Sequence, residues 1–273
     1  SAQKVLALFI AITASTCAFA NNHEENDPDW IWYHDFVVDN FAYYIIPNSP
    51  VPAVAIIEAY GHSGHIDVPA YVTHNDTTYE VTTLGTGYSG FYDCRDLTSV
   101  YIPKEIKMIN NNPFRECPNL TNISVDPENK YYDSRGLCHA LVTSADNPYE
   151  EPNMLVAACK NTTIPNDVEV IGVEAFYECH YLTQITIPNS VTTIKRSAFN
   201  GCERLSTLVI GESVGTIGDF SFFNCSALKT VMCLAATPPY VEASAFANTP
   251  VDALDKVHEI ALQLPVYVPD QSV

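Results

Sequence analysis

Polar and apolar positions alternate over short stretches of this chain, and many of these stretches end at a proline. Residues 182–188 are an example, since Ile185 and Ile187 alternate with Gln184 and Thr186. Strict alternation over this length predicts a strand with one face in the core, the isoleucines inward and the polar residues outward. Proline has no backbone N–H donor and is tolerated where a strand ends. The pattern therefore predicts many short, half-buried strands.

A second pattern accompanies the predicted strands, in which phenylalanine, cysteine and leucine recur at every third position. Phe199, Cys202 and Leu205 form one such set. The spacing predicts a short helical or 3-10 turn with one apolar face. Equivalent phenylalanines recur with a period of 23 in most of the chain and of 24 at the last step. Six segments share the motif, namely 90–94, 113–117, 175–179, 198–202, 221–225 and the degenerate 245–249.

A unit of this size cannot bury its own apolar face, so neighbouring units must stack on one another. Stacking buries a continuous core and predicts a solenoid. We expect a leucine-rich repeat solenoid that is β-rich, with 23-residue repeats, short helical or 3-10 turns and a parallel sheet on its concave face.

The units resemble those of the BspA-like leucine-rich repeat family, which is common in surface and secreted proteins of Bacteroidetes. The unit at 182–202 carries the family pattern, and residues 36–84 resemble its N-terminal lead-in. Within that lead-in we expect strands at 36–38 and 79–82 and a turn at 63–66. The resemblance covers residues 36–268 and implies a binding protein with affinity for host proteins or glycans.

The repeat array has one irregular region. The step from Phe114 to Phe176 exceeds two regular repeats by about two-thirds of a unit. The extra residues are expected in an insertion at 126–160, with a strand at 154–156 that rejoins the stack. The full division predicted is a signal peptide at 1–20, an N-terminal cap and lead-in strands at 21–89, repeats at 90–237, and a degenerate last repeat with a C-terminal cap at 238–273.

The N-terminus has the features of a secretory signal. Lys4 precedes an apolar run at 5–12, and small residues end in Ala18-Phe19-Ala20. An alternative is lipid attachment at Cys17, and another is a buried apolar element. The run is too short to span a bilayer, which takes about 20 residues. We therefore predict a secreted or cell-surface protein without a transmembrane segment.

Charge excludes one class of partner. The chain has 32 acidic residues against 13 Lys and Arg, a formal net charge of −19. Such a chain repels phosphate backbones, which excludes nucleic-acid binding. The same repulsion argues against anionic membrane surfaces.

The cysteines are expected to be mainly structural. Equivalent side chains of stacked units point in parallel, an orientation that does not suit a disulfide, so we expect buried free thiols at the repeat position. Cys138, Cys159 and Cys233 lie outside this register and are the candidates for disulfide pairing. The sequence has no C-x-x-C pair, and His62 and His65 are expected on an exposed turn. We predict no metal site, no cofactor and no catalytic residues. The repeat-position cysteines are Cys94, Cys117, Cys179, Cys202 and Cys225.

A ligand is expected on the outward side of the strands. The outward positions are uncharged although the chain is strongly acidic, so they are easily desolvated and can form hydrogen bonds to a glycan or a peptide backbone. Strand preference for Ser, Thr, Val and Tyr explains the same residues equally well. The alternative function is that of a structural spacer or scaffold in a larger surface protein. The predicted ligand-binding residues are Ser99, Tyr101, Asn122, Ser124, Gln184, Thr186, Thr207 and Thr230, with Val209 and Met232 beside them.

Overall fold

The computed structural model describes residues 34–85, 90–91 and 94–250. Over these ranges the chain coils through short strands joined by tight turns. The strands are β1 (Phe36–Val38), β2 (Phe41–Ile45), β3 (Ala53–Ala59), β4 (Gly64–Asp67), β5 (Tyr71–His74), β6 (Thr77–Leu84), β7 (Leu97–Ile102), β8 (Met108–Ile109), β9 (Asn122–Val125), β10 (Tyr132–Asp133), β11 (Leu141–Thr143), β12 (Met154–Ala157), β13 (Val170–Ile171), β14 (Gln184–Thr186), β15 (Thr193–Ile194), β16 (Thr207–Ile210), β17 (Thr216–Ile217), β18 (Thr230–Cys233) and β19 (Tyr240–Val241).

Successive coils pair through parallel strands at two positions of the repeat, which we call the front and the back. At the front, β4, β7 and β9 form one sheet and β14, β16 and β18 form another. At the back, β12, β13, β15, β17 and β19 form a continuous parallel ladder. Thr207 pairs with Gln184 before it and Thr230 after it, one full repeat away in each direction. The predicted solenoid and its repeat period are confirmed.

The Phe-x-x-Cys segments form consecutive tight turns rather than helices. The N–H of Cys202 donates to the carbonyl of Phe199 at 3.2 Å, and that of Leu205 to the carbonyl of Cys202 at 3.0 Å. Gly201, between phenylalanine and cysteine, has a φ of 74°, which interrupts any right-handed helix. In the described part, one 3-10 segment occurs, at Arg135–Leu137. The residues equivalent to Gly201 in other turns, with φ of 52–59°, are Glu116, Glu178, Asn224 and Asn248.

The phenylalanines of the repeats stack in a column through the core. The rings of Phe176 and Phe199 are 4.7 Å apart between centroids, those of Phe199 and Phe222 are 5.0 Å apart, and those of Phe222 and Phe246 are 4.9 Å apart. All four side chains are buried. Aromatic burial of this kind is among the largest contributions to a protein core, so the column explains why phenylalanine recurs at this position.

The repeat cysteines are buried free thiols, as predicted. They also form hydrogen bonds that the sequence pattern does not reveal. The Cys202 thiol donates to the carbonyl of Phe176 in the preceding coil at 3.1 Å, and the Cys225 thiol donates to Phe199 at 3.3 Å. Burial raises the pKa of Cys225 to about 12, which keeps the thiol protonated and able to donate.

The three candidates for disulfide pairing, Cys138, Cys159 and Cys233, are all free thiols. The thiol of Cys159 donates to the carbonyl of His139 at 2.9 Å, and that of Cys138 approaches the carbonyl of Ala140 at 3.6 Å. Both cysteines are buried. Each is therefore a core residue, and its thiol has a backbone carbonyl nearby as acceptor.

Thiol counting tests this arrangement. With a thiol reagent, we expect at least the five repeat cysteines to react only after denaturation, because burial shields them from the reagent. Cys233, which is half-buried, serves as the internal control and should react earlier. Finding all eight described cysteines already bonded before reduction would contradict the structure.

The insertion forms an antiparallel β10-β11-β12 meander followed by one short coil. Met154 on β12 pairs with Val170 on β13, and Val170 in turn pairs with Thr193 on β15. The second of these steps has the regular repeat length, whereas the first is shorter by about a third. The strand expected at 154–156 is therefore present, and the coil that follows it is shorter than the others.

The short coil lacks the phenylalanine turn. Ala158 donates its N–H to the carbonyl of Ala175 at 2.9 Å, as Phe176 donates to Ala198 at 2.7 Å one coil later. Ala158 therefore stands at the phenylalanine position of its coil. The ring column is interrupted here, between Phe114 and Phe176.

Two side-chain contacts join the turns on either side of this interruption. The Asn112 amide donates to the carbonyls of Glu174 at 3.0 Å and Ala175 at 3.2 Å. The guanidinium of Arg115 lies 3.2 Å from the carboxylate of Glu174, and the exposed fractions of the two side chains are only 9% and 6%. These side-chain contacts thus connect the two turns where the short coil has no phenylalanine turn between them.

The lead-in region differs from the prediction in one respect. The expected strands at 36–38 and 79–82 are present, as β1 and within β6, but the expected turn at 63–66 is wrong because Gly64–Asp67 forms strand β4. Several predictions fall outside the described residues: the signal peptide at 1–20 with Cys17, the part of the N-terminal cap before residue 34, and the part of the C-terminal cap after residue 250.

Candidate ligand-binding face

The predicted ligand-binding residues lie on the front in two separate patches. Within each patch, they are neighbours in register, as Ser99 is with Asn122 and Gln184 is with Thr207. Strands β9 and β14 belong to different sheets, because the meander and the short coil lie between them in the chain. The N-terminal patch comprises Ser99, Tyr101, Asn122 and Ser124. The C-terminal patch comprises Gln184, Thr186, Thr207, Val209, Thr230 and Met232.

Strand β4 extends the N-terminal patch by two residues that the sequence pattern did not assign to it. His65 pairs with Ser99, and Asp67 pairs with Tyr101. The imidazole of His65 is hydrogen-bonded through Nδ1 to Ser99 Oγ at 2.7 Å and through Nε2 to Asp67 Oδ1 at 3.0 Å. A carboxylate, an imidazole and a hydroxyl are therefore linked in one exposed row.

The meander adds a further histidine to this row. His139 Nδ1 lies 2.7 Å from Oδ1 of Asn122, the register partner of Ser99. The row thus runs from Asp67 across His65, Ser99 and Asn122 to His139. The contacts of His65 with Ser99 and of Asn122 with His139 join residues that are distant in sequence, so the fold brings these side chains together.

The chemistry of the row suits binding better than catalysis. A carboxylate, imidazole and hydroxyl in sequence also occur in serine hydrolases, where the site excludes water around donors for the developing oxyanion. Here the side chains of His65 and Asp67 are 57% and 74% exposed. Water competes for the contact between His65 and Asp67, and these two side chains remain accessible to a ligand.

Tyr101 supplies the aromatic element of the N-terminal patch. Burial and a hydrogen bond to Asp126 raise the pKa of Tyr101, so its hydroxyl remains a neutral donor. The neighbouring Ser124 hydroxyl donates to the carbonyl of Val100 at 3.2 Å. The ring of Tyr101 therefore sits half-buried among polar groups that are already held in place.

The C-terminal patch has a different character. Gln184, Thr186 and Thr230 are exposed, and Met232 is 47% exposed. The patch carries no charged side chain among its six residues. It combines small polar groups with one flexible apolar side chain, a surface that loses its water readily.

The remaining lead-in histidines pack against aromatic rings instead of joining the row. The ring of His62 is 4.3 Å from that of Phe41, and the ring of His74 stacks on Phe36 at 4.2 Å. Burial lowers the pKa of His62. In the ranges described, no group of three or more His, Cys, Asp or Glu side chains is placed to hold a metal ion.

The repeat register described above corresponds to a known family. The model of the BspA type leucine rich repeat region matches in six copies, over residues 73–144 and 156–260. The matched ranges make up more than half of the sequence. This chain belongs to the BspA-type leucine-rich repeat family. The BspA-type repeats are interrupted at 145–155, which covers most of the connection between β11 and β12.

Several solved structures of bacterial leucine-rich repeat proteins are similar to this chain. A leucine-rich repeat protein from Eubacterium ventriosum ATCC 27560 has 26% identity and a TM-score of 0.51, covering 69% of this chain and 48% of that one. A leucine-rich repeat protein from Bacteroides ovatus ATCC 8483 has 27% identity and a TM-score of 0.43, covering 72% and 47%. A leucine rich cell surface protein from Faecalibacterium prausnitzii A2-165 has 26% identity and a TM-score of 0.41, covering 78% and 46%.

This chain therefore spans about half the length of these three proteins. No curated protein matches it. Among residues 34–85, 90–91 and 94–250, no helix has the length and apolar composition needed to cross a membrane.

Proposed function

We propose that this protein is a secreted or cell-surface binding protein that attaches to a host protein or glycan through its front face and catalyses no reaction. The observation that carries the proposal is the pair of front patches, which are largely uncharged in a chain with a net charge of −19. The BspA-type family membership and the cell-surface description of the Faecalibacterium prausnitzii protein support it.

The two patches suit different parts of such a ligand. In the N-terminal patch, the aromatic ring of Tyr101 and the row of hydroxyl, amide and imidazole groups suit sugar hydroxyls. In the C-terminal patch, Gln184 and the threonines can pair with a peptide backbone while Met232 covers an apolar side chain. Specific binding rests on a few such residues at the centre of a contact.

A binding screen followed by two substitutions tests this proposal. The chain is first screened against host extracellular-matrix proteins and mucin glycans. For the ligand found, Tyr101→Ala and Gln184→Arg are each expected to weaken binding tenfold or more, about 1.4 kcal/mol. Calorimetric titration gives the affinity, and the melting temperature should stay nearly constant because both side chains are on the surface.

Matched controls come from the back ladder. Thr216→Arg introduces the same charge as Gln184→Arg, and Tyr240→Ala removes a ring that is 63% exposed on β19. Both should leave affinity unchanged. If Tyr101→Ala and Gln184→Arg also leave it unchanged while changes within 126–160 abolish binding, the insertion is the site. Absence of any ligand would favour the spacer or scaffold function.

A further inference from the structure

The interruption of the phenylalanine column leaves a groove on the turn side of the solenoid. It lies between the turns at 114–118 and 177–181, and Ala158 forms part of its floor. Its volume is about 130 Å³. Ala158 stands where other coils have a phenylalanine turn. The short coil therefore has no such turn to fill the space between the turns at 114–118 and 177–181.

Both walls of the groove carry a carboxylate. Glu116 lies in the first turn and Glu178 in the second, and both line the groove. Burial raises the pKa of Glu178, and the nearby charge of Glu116 adds to the effect, while His180, whose Nε2 is 3.9 Å from the Glu178 carboxylate, partly opposes it. The two acids therefore create a negative potential that a cation entering the groove would relieve.

Two arginines and a third glutamate lie near these two carboxylates. Arg115 is buried and lies 3.2 Å from the carboxylate of Glu174, so its charge is largely matched within the protein. Arg95 also lines the groove, but Glu203 adds further negative charge near Glu178.

Aromatic side chains complete the walls. Phe114, Tyr177 and Tyr181 line the groove. The guanidinium of Arg115 already lies 5.6 Å from the centroid of the Tyr177 ring. The Tyr181 hydroxyl lies 3.1 Å from the thiol of Cys179. Cys202 and Cys225 donate to a phenylalanine carbonyl of the preceding coil, but the coil before Cys179 has alanine at that position. The groove thus offers aromatic rings beside two carboxylates.

We propose that this groove binds the arginine side chain of a protein partner. Small-molecule sites usually enclose about 300–1,000 Å³, so a groove of about 130 Å³ suits a single side chain. A guanidinium is planar, stacks on aromatic rings and forms paired hydrogen bonds to carboxylates, which an ammonium group cannot reproduce. The groove shares no residue with the front patches. The arginine site is therefore a second contact with a protein partner, and its proposal does not depend on the proposed function of the front face.

Titration with a minimal probe tests this assignment. The probe is N-acetyl-arginine amide, and its neutral isostere N-acetyl-citrulline amide is the matched control. We expect saturable shifts of the Tyr177 and Tyr181 ring resonances by NMR, with the citrulline compound binding at least tenfold more weakly. Affinity for the arginine compound should fall as salt is raised, because the carboxylates are partly exposed.

Substitutions in the protein provide the second arm. Glu116→Gln with Glu178→Gln should weaken binding of the arginine probe at least fivefold, whereas Glu212→Gln, an exposed change outside the groove, should not affect it. Ala158→Leu, which fills the floor without altering charge, should also abolish the shifts. Equal binding of both probes, absence of saturable shifts, or full affinity in the Glu116→Gln/Glu178→Gln variant would overturn the assignment. Binding at the front face would be unaffected by any of these results.

Discussion

Replacing Phe199 by alanine is expected to lower the free energy of unfolding by about 3–5 kcal/mol. The side chain is fully buried, and its ring lies between those of Phe176 and Phe222 at 4.7 and 5.0 Å. The substitution removes the transfer free energy of the ring and leaves a cavity that both neighbouring coils share. In a solenoid, the loss also weakens the interfaces on either side. Denaturant unfolding followed by circular dichroism gives the value.

Phe220 provides a matched control for this experiment. It shortly precedes Phe222, is 39% exposed and contacts Phe223 edge to face at 5.6 Å. Phe220→Ala should therefore cost much less than Phe199→Ala. If Phe199→Ala lowers the free energy of unfolding by less than about 1 kcal/mol, the stacked rings do not contribute substantially to core stability at this coil.

Replacing Arg115 by methionine is expected to cost about 3–5 kcal/mol, since it leaves the buried carboxylate of Glu174 without its partner. The two groups are 3.2 Å apart, and both side chains are almost fully buried. Adding Glu174→Gln to Arg115→Met should recover a substantial part of the loss, because the uncompensated charge is removed. Thermal and denaturant unfolding of the single and double variants measures this recovery.

The exposed pair of Lys104 and Glu128 is the control for the buried pair. Its atoms are closer, at 2.6 Å, but the side chains are 48% and 71% exposed. Water screens such pairs, so Lys104→Met should change stability far less than Arg115→Met. If the two substitutions have equal effects, or if the double variant shows no recovery, the loss of stability in Arg115→Met does not come from the charge of Arg115.

The sequence predicts the repeating unit well, because its signals lie within one coil. Two patterns indicate which side chains face the core. They are the alternation in residues 182–188 and the spacing of Phe199 and Cys202. The spacing predicts helical or 3-10 turns, because apolar spacing carries no information on the φ angle of each residue. Glu116 and Glu178 adopt positive φ in the structure, and neither is a residue type that signals this conformation, as glycine does at 201.

The front face is predictable only in part. Outward positions follow from alternation, so Tyr101 and Gln184 could be assigned, but their separation into two patches depends on the length of one coil. Nothing in residues 154–170 indicates a shortened coil, because this segment lacks the phenylalanine motif that marks the others. His65 was missed for a different reason, since its pairing with Ser99 comes from the register between coils that are distant in sequence.

The short coil also sets how the solenoid would respond to a mechanical load. At this joint the front strands β9 and β14 do not pair and the ring column is broken, so the back pairing of β12 with β13, the Asn112 amide and the pair of Arg115 and Glu174 make the connection. The buried apolar residues form two clusters that meet here, and the meander and the short coil contribute residues to both. Tension along the stacking axis would therefore meet no front-sheet pairing at this joint, unlike at the regular coils on either side.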